Sequence, residues 1–435
     1  MLVIGGGPAG STAAALLARK GLKVLLVERD RHPRFHIGES LLPMNMPILE
    51  RLGLSARLEE IGVKKFGADF PSDNECGYNV FRFERSLNPT WPFAYQVRRD
   101  EFDRMLFDYA AAQGATTHQG ARVSRVELDA EGATAHIDID GETRSHRTRY
   151  VVDATGRDTL LGSQMRLKRK NPEHQSAALF AHFRGVERRS GEDAGNISIY
   201  RFEHGWVWLI PLREGCVSIG AVCSPAYLKQ RDGKQRESSK EEFLLQTLRN
   251  IPGLSNRMVQ AEIIGNLHAT GNYSYSCSRL GGPRWLLVGD AYAFVDPIFS
   301  TGVYLAMHSA ELAADVVEGA LREPRRERAL QRAYGRNVRK GITSLSWFIF
   351  RFNTPAMTWL FRNPRNMLRV EEAMISMLAG DVFRGGGVMW RLQFFKLLYA
   401  IASVVYWRET LASLADRRRR VGMTFSGGTT RQDPA

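Results

Sequence analysis

Met1-Leu2-Val3-Ile4-Gly5-Gly6-Gly7-Pro8-Ala9-Gly10 opens the chain, and its reading decides the fold. Four apolar residues make a first strand clipped to its minimum. Gly5, Gly7 and Gly10 then satisfy the spacing G-x-G-x-x-G, and an alanine-rich helix over 11–20 stops at Gly21. A second strand, 23–27, ends in Glu28 and Arg29. The glycines let backbone approach a pyrophosphate seated on the helix N-terminus, and Glu28 is placed to take ribose hydroxyls. A lone glycine fingerprint is weak, but strand, helix, strand and terminal acid in register predict an α/β dinucleotide-binding unit.

Working outward, three downstream segments bear on which dinucleotide. Gln96-Val97-Arg98-Arg99-Asp100-Glu101-Phe102-Asp103 begins a helix, Asp153-Ala154-Thr155-Gly156-Arg157 follows the strand 150–152, and Gly289-Asp290 follows the strand 285–288. In this order they resemble the segments by which flavin monooxygenases hold FAD. The resemblance implies a Rossmann-type FAD-binding fold of that (glutathione-reductase-like) superfamily. A mixed-sheet substrate domain and a helical C-terminal cap go with it. It names Gly5, Gly7, Pro8, Ala9, Gly10, Glu28, Arg29, Arg99 and Asp290 as cofactor contacts.

Four further motifs narrow the activity. Phe35-His36-Ile37-Gly38-Glu39-Ser40-Leu41-Leu42-Pro43 looks like a loop close to the flavin ring, with Ser40 as a contact. Phe294-Val295-Asp296-Pro297-Ile298-Phe299-Ser300-Thr301-Gly302 fits F-x-x-P-x-x-S-x-G, just ahead of a helix starting near Val303. Open amides and the positive dipole end of a helix suit an anion or a flavin edge. In Gly205-Trp206-Val207-Trp208-Leu209-Ile210-Pro211 two indoles two residues apart share one face of a strand. Alone they would be core packing. Lys64-Lys65-Phe66-Gly67-Ala68-Asp69-Phe70 adds a lysine ahead of an aromatic-glycine-small sequence.

Together these resemble the flavin-dependent halogenases over about the first 310 residues, nearer the carrier-protein, phenol and pyrrole enzymes than the tryptophan ones. The resemblance implies FADH2 from a separate NAD(P)H-dependent reductase, since one nucleotide fingerprint is evident. It implies O2 and chloride or bromide as co-reactants, and hypohalous acid guided by Lys65 (Lys64 the near-miss) to an electron-rich aromatic, free or carried on an acidic acyl or peptidyl carrier protein. Pro297 and Gly302 would touch the flavin, and amides near Ser300, Thr301 and Gly302 would hold halide. Trp206, Trp208, Ile210 and Pro211 would keep substrate off the flavin. The glutamate that tryptophan halogenases use beside their lysine has no assigned counterpart. Two alternatives stand: an FAD-dependent monooxygenase or geranylgeranyl-reductase-like oxidoreductase, and a catalytically silent flavin-binding partner protein.

At 435 residues the chain is long for one domain. The expected FAD-binding domain gathers 1–75, 97–170 and 275–340. A substrate-side β-sheet domain takes 76–96 and 171–274, with 228–241 as a polar surface excursion. Residues 341–420 form a helical region, some of whose aromatics line the cavity, and 421–435 form a disordered tail. The apolar run after Lys396 ends at Trp407, too short to span a bilayer. Four cysteines (Cys76, Cys216, Cys223, Cys277) have neither C-x-x-C nor zinc spacing, so no metal site is expected and a cytoplasmic setting fits. Nor does Met1-Leu2-Val3-Ile4 offer a secretory apolar region. A net charge of +14 concentrates in 322–340 and 417–420. It reads either as a solvated face and tail, or as a landing surface for an acidic carrier protein or anionic membrane. No nucleic-acid-binding motif accompanies it.

Overall fold

A computed structural model of the chain describes residues 1–72, 77–88, 91–172, 175–234, 239–271, 274–362, 366–409, 411 and 415. Cys76, the basic run 417–420 and the tail lie outside the described residues.

The predicted nucleotide-binding unit is a six-stranded sheet ordered Gly281–Gly282, Trp285–Leu287, Val151–Asp153, Leu2–Ile4, Leu25–Glu28 and Thr116–Gln119. Every pairing is parallel except the hairpin at the first edge. Leu2, Val3, Leu26, Val151, Val152, Leu286 and Leu287 are fully buried, as strands covered on both faces require. The helix Pro8–Arg19 packs against the helices Arg99–Ala112 and Gly302–Arg322. Its approach to the sheet depends on the fingerprint glycines. A Cβ on Gly10 would lie 1.8 Å from the Gly5 carbonyl oxygen, and one on Gly5 2.4 Å from that of Ala154.

A seven-stranded sheet runs Glu262–Gly271, Ala177–Arg184, Val217–Cys223, Gly205–Pro211, Ile197–Phe202, Gly67–Pro71 and Tyr78–Arg82. The tryptophan strand Gly205–Pro211 is central, antiparallel to both neighbours. Gly67–Pro71 falls within the segment expected to bind nucleotide, yet its hydrogen bonds go to Ile197–Phe202 and Tyr78–Arg82. A five-residue strand carries no mark of which sheet it will join. The expected excursion at 228–241 contains the end of a helix, Pro225–Lys234, and the start of another, Lys240–Arg249, capped by Ser239.

The helical region expected after 341 is present, with Glu327–Ile349 leading to Pro355–Arg362, Val370–Leu378 and Gly387–Val405. The last helix differs from expectation. It starts at Gly387 and passes through Lys396 without a break, giving 19 residues that by length and composition alone could cross a membrane. One lysine does not end an apolar helix, because the half-buried Lys396 amine packs over the Trp347 ring, 5.2 Å from its centroid. All eight basic residues of 322–340 are solvent-exposed.

Gly10→Ala should lower the thermal midpoint by about 5 °C, the scale of an overpacked backbone contact. It should also release flavin on desalting. An unchanged midpoint in differential scanning calorimetry would show that the Gly5–Gly10 approach is not tight.

Candidate active site

A cavity of about 1580 Å³ is lined from both large sheets. That exceeds the roughly 300–1,000 Å³ of a pocket for one drug-sized ligand, so a dinucleotide and a second compound both have room. Gly5, Gly7, Pro8, Ala9, Glu28, Arg29, Ser40 and Arg99 line it, as do Trp206, Trp208, Ile210, Asp290, Pro297, Ser300 and Gly302. Gly10, Lys65, Pro211 and Thr301 are not among its lining residues.

The nucleotide end is built around carboxylates that organise backbone. Glu28 accepts the Gly6 N–H at 2.6 Å with one oxygen and the Asp30 N–H at 3.0 Å with the other. The helix Pro8–Arg19 has Gly7 as N-cap with no capping side chain and no acid in its first turn, so its open amides suit phosphate. Gly7 faces open space apart from Arg34 Nη2, 3.5 Å from where its Cβ would sit. Asp103 holds Arg99 through two hydrogen bonds of 2.8 and 3.0 Å, and Arg99 also donates to the Ile37 carbonyl at 2.6 Å. Burial opposes charge on Asp103, but Arg99 and Arg34 outweigh it and keep its carboxyl below the usual range. Burial instead pushes Asp290 up to about 6, against the pull of Arg157 and Arg99. A helix N-terminus without competing acid, a ribose acceptor and an arginine fork are the donor set FAD needs. Arg34 was not legible as a site residue, since nothing local marks an arginine that meets Asp103 far along the chain; Asp103 and Arg157 fall in quoted segments but were assigned no contact.

Strand alternation settles which lysine turns inward. In Gly62–Lys65, paired antiparallel with Ala94–Val97, Lys64 is exposed, 3.4 Å from Glu59 and over the Phe93 ring. Lys65 is 1% exposed. Its Nζ donates to Ser40 Oγ at 2.7 Å and lies 5.5 Å from the Phe83 ring centroid. The amine therefore sits behind Ser40, whose own residue lines the cavity. With no carboxylate beside it, burial alone brings Lys65 down to about 7. Glu39, the cavity-lining neighbour of Ser40, is buried, with Oε1 2.8 Å from His182 Nε2 and Oε2 without a partner among the described residues. His182 stands edge-on to Phe35, which stacks on His268 at 3.8 Å. This acid–imidazole pair was missed because its members lie 143 positions apart.

Trp206 and Trp208 line the cavity with ring centroids 5.8 Å apart, and Trp208 Nε1 donates to Ser218 Oγ at 3.2 Å. Gly220 makes room for Trp208, since a Cβ there would lie 2.2 Å from its ring. Pro211 is a correction to the expected shield: one position out of phase with Ile210, it points to the other face of the strand. The expected cavity-lining aromatics of the C-terminal helices are a second correction. None of them lines the cavity; Phe348, Phe352 and Phe395 share one buried cluster with Trp206 and Trp208 and so back the wall. After Pro297–Phe299 the Ser300 N–H is spent on the Pro297 carbonyl at 2.9 Å, with Ser300 at φ +55°. The first helical bond, from Leu305 to Thr301, leaves the amide of Gly302 at the open end of Gly302–Arg322.

Fold and site thus define a FAD-binding flavoprotein, and residues 1–340 match the FAD binding domain family. The chain is 34% identical over 368 residues to flavin-dependent halogenase gsfI of Penicillium aethiopicum, covering 79% of this chain and 68% of that one. It is 29% identical over 412 residues to the 1H-pyrrole-2-carbonyl-[peptidyl-carrier protein] chlorinase of Pseudomonas fluorescens, covering 88% and 90%. The myxobacterial chondrochloren halogenase CndH superposes with a TM-score of 0.75 at 30% identity, covering 92% of this chain and 95% of that one. A flavoprotein/dehydrogenase from Cytophaga hutchinsonii reaches a TM-score of 0.83 at 27% identity, covering 93% and 99%. The chain belongs to the flavin-dependent halogenases.

The buried lysine has a stability signature. An unfolded lysine titrates near 10.5 and the folded one near 7, so between these values the unfolded chain binds more protons. The cost of burying Lys65 is therefore full below pH 7 and fades as pH rises toward 10.5. Lys65→Met should melt above wild type at about pH 6 and lose most of that lead as pH approaches 10.5. A lead independent of pH would mean that Lys65 titrates normally.

Proposed function

We propose that this enzyme uses FADH2, O2 and chloride or bromide to halogenate an electron-rich, phenol- or pyrrole-like aromatic, with Lys65 directing the halogen. The observation that carries this reading is the Lys65 amine, desolvated and bonded to Ser40, whose residue lines a flavin-sized cavity. Bound FADH2 supplies, with oxygen, the oxidising equivalent that converts halide to hypohalous acid. Gly5, Gly7, Pro8, Ala9, Glu28, Arg29, Arg99 and Asp290 hold the cofactor, and Pro297 and Gly302 meet its ring. With the Ser300 amide spent on Pro297, halide falls to the amides of Thr301 and Gly302.

Near pH 7 a substantial share of Lys65 is the free amine, which either donates a hydrogen bond to hypohalous acid or takes its halogen and releases water. The aromatic carbon then takes the halogen and gives up its proton. Glu39, beside Ser40 and paired with His182, is the acid best placed to receive that proton. Trp206, Trp208 and Ile210 stand between substrate and flavin, disfavouring hydroxylation and sheltering the oxidant from water.

The Pseudomonas fluorescens relative acts on a pyrrole carried by a peptidyl carrier protein, which supports a carrier-tethered substrate here. FADH2 comes from a separate NAD(P)H-dependent reductase. A cytoplasmic, reducing setting is supported by Cys216, Cys223 and Cys277, which are buried and free, with burial raising each thiol above its ordinary value. The likeness to a flavoprotein/dehydrogenase favours a second reading, a flavin oxidoreductase acting on an apolar substrate.

Incubation with FADH2, oxygen, bromide and phenolic or pyrrolic compounds should yield products with the bromine isotope doublet in mass spectrometry, and no doublet leaves the oxidoreductase reading. Lys65→Ala should cut brominated product by more than about hundredfold, the scale of a lost acid–base group, while flavin binding stays unchanged. Undiminished product would remove Lys65 from the mechanism.

A further inference from the structure

Among the described residues, eleven large apolar side chains are exposed, and all but Val259 lie between Trp359 and Leu411. The helix Gly387–Val405 is the centre of this patch. Val388, Leu392, Phe395 and Ala402 are its buried residues, falling within an arc of about 80° at 3.6 residues per turn. Phe395 packs on Phe348, with centroids 5.6 Å apart, and Tyr399 meets Trp347 at 5.2 Å.

The opposite face of a surface helix should be polar. Here it carries Trp390, Leu397, Ile401 and Val404, at 47, 55, 54 and 72% exposure. They form an apolar ridge about 20 Å long. Basic side chains flank it rather than interrupt it, with Arg391 on one side and, on the other, Lys396, whose half-buried amine lies 5.2 Å from the Trp347 ring centroid. At its ends the Arg391 guanidinium lies 4.3 Å from the Trp390 ring centroid and that of Arg408 5.3 Å from Trp407. In sequence the basic run 417–420 follows soon after.

We propose that this ridge seats the protein on an anionic lipid surface, with the helix lying in the interfacial plane. Apolar side chains dip below the headgroups, tryptophans sit at their level, and the basic flanks meet lipid charge. Crossing the bilayer would strip the Val388–Leu392–Phe395 stripe from its core contacts, so the helix lies on the membrane. By composition, residues 416–435 bring charge rather than apolar surface. Residues 416–435 hold Val421, Met423 and Phe425 as their only large apolar side chains, against five arginines. A second copy docked about a twofold axis would bring identical basic flanks together. An acidic carrier protein suits the basic flanks but leaves the uncharged ridge unmatched.

Sedimentation of the flavin-loaded, full-length chain with vesicles tests this. Vesicles of phosphatidylcholine with about a third phosphatidylglycerol should carry it down, and pure phosphatidylcholine should bind about tenfold less. Combined Leu397→Ser, Ile401→Ser and Val404→Ser should weaken binding to the anionic vesicles by more than about tenfold while flavin content stays the same. If that variant loses flavin, Trp407→Gln alone should still weaken binding by about threefold. No sedimentation with either vesicle overturns the proposal, as does binding that survives the apolar substitutions but vanishes in high salt. A wild-type dimer that the triple variant makes monomeric, without vesicle binding, assigns the ridge to a second copy and likewise overturns it.

Discussion

The alternation of one central strand divides this molecule. In Gly205–Pro211 every other residue, Trp206, Trp208 and Ile210, turns to one face, and Val207 and Leu209 turn to the other. The first set joins the core shared with the C-terminal helices and walls the cavity. The second joins a separate core with the helix Lys240–Arg249. A slip of one residue would exchange the two sets and put aliphatic side chains where the indoles stand. Its antiparallel neighbours on both sides hold the strand against such a slip, and Gly220 gives the Trp208 ring the space its neighbour would otherwise fill.

The same alternation works at a smaller scale in Gly62–Lys65. Of two adjacent lysines one must face solvent and one must face inward, and the inward one pays for its burial with a lowered proton affinity. Its hydrogen bond to Ser40 orients the amine without restoring the charge that an acid would favour. A lysine poised near neutrality is thus a product of geometry: a strand direction, a hydroxyl and no carboxylate.

At the nucleotide end the polar groups hold one another in place. Glu28 pins the glycine loop, Asp103 fixes the fork of Arg99 and approaches Arg34, and the helix at Pro8 keeps its amides open. Preorganised donors of this kind lower the ordering cost of binding a long cofactor. The tryptophan wall is made rigid differently, by aromatic packing behind it from Phe348, Phe352 and Phe395.

Much of this was written locally in the chain. The glycine spacing, Glu28 at a strand end, Arg99 at a helix start and the paired indoles each depend on residues only a few positions apart, so periodicity and turn chemistry expose them. What the sequence by itself determined is therefore the nucleotide-binding fold, the class of cofactor and the paired indoles on one strand face. Only the tertiary structure decided that Lys65 lies behind Ser40, that Glu39 meets His182, that Pro211 falls out of phase and that Gly67–Pro71 joins the second sheet. It alone decided that the C-terminal aromatics back the cavity while one helix face stays bare. Those facts turn on distances between residues scores of positions apart, and a linear pattern carries no information about which distant surfaces will meet or remain uncovered.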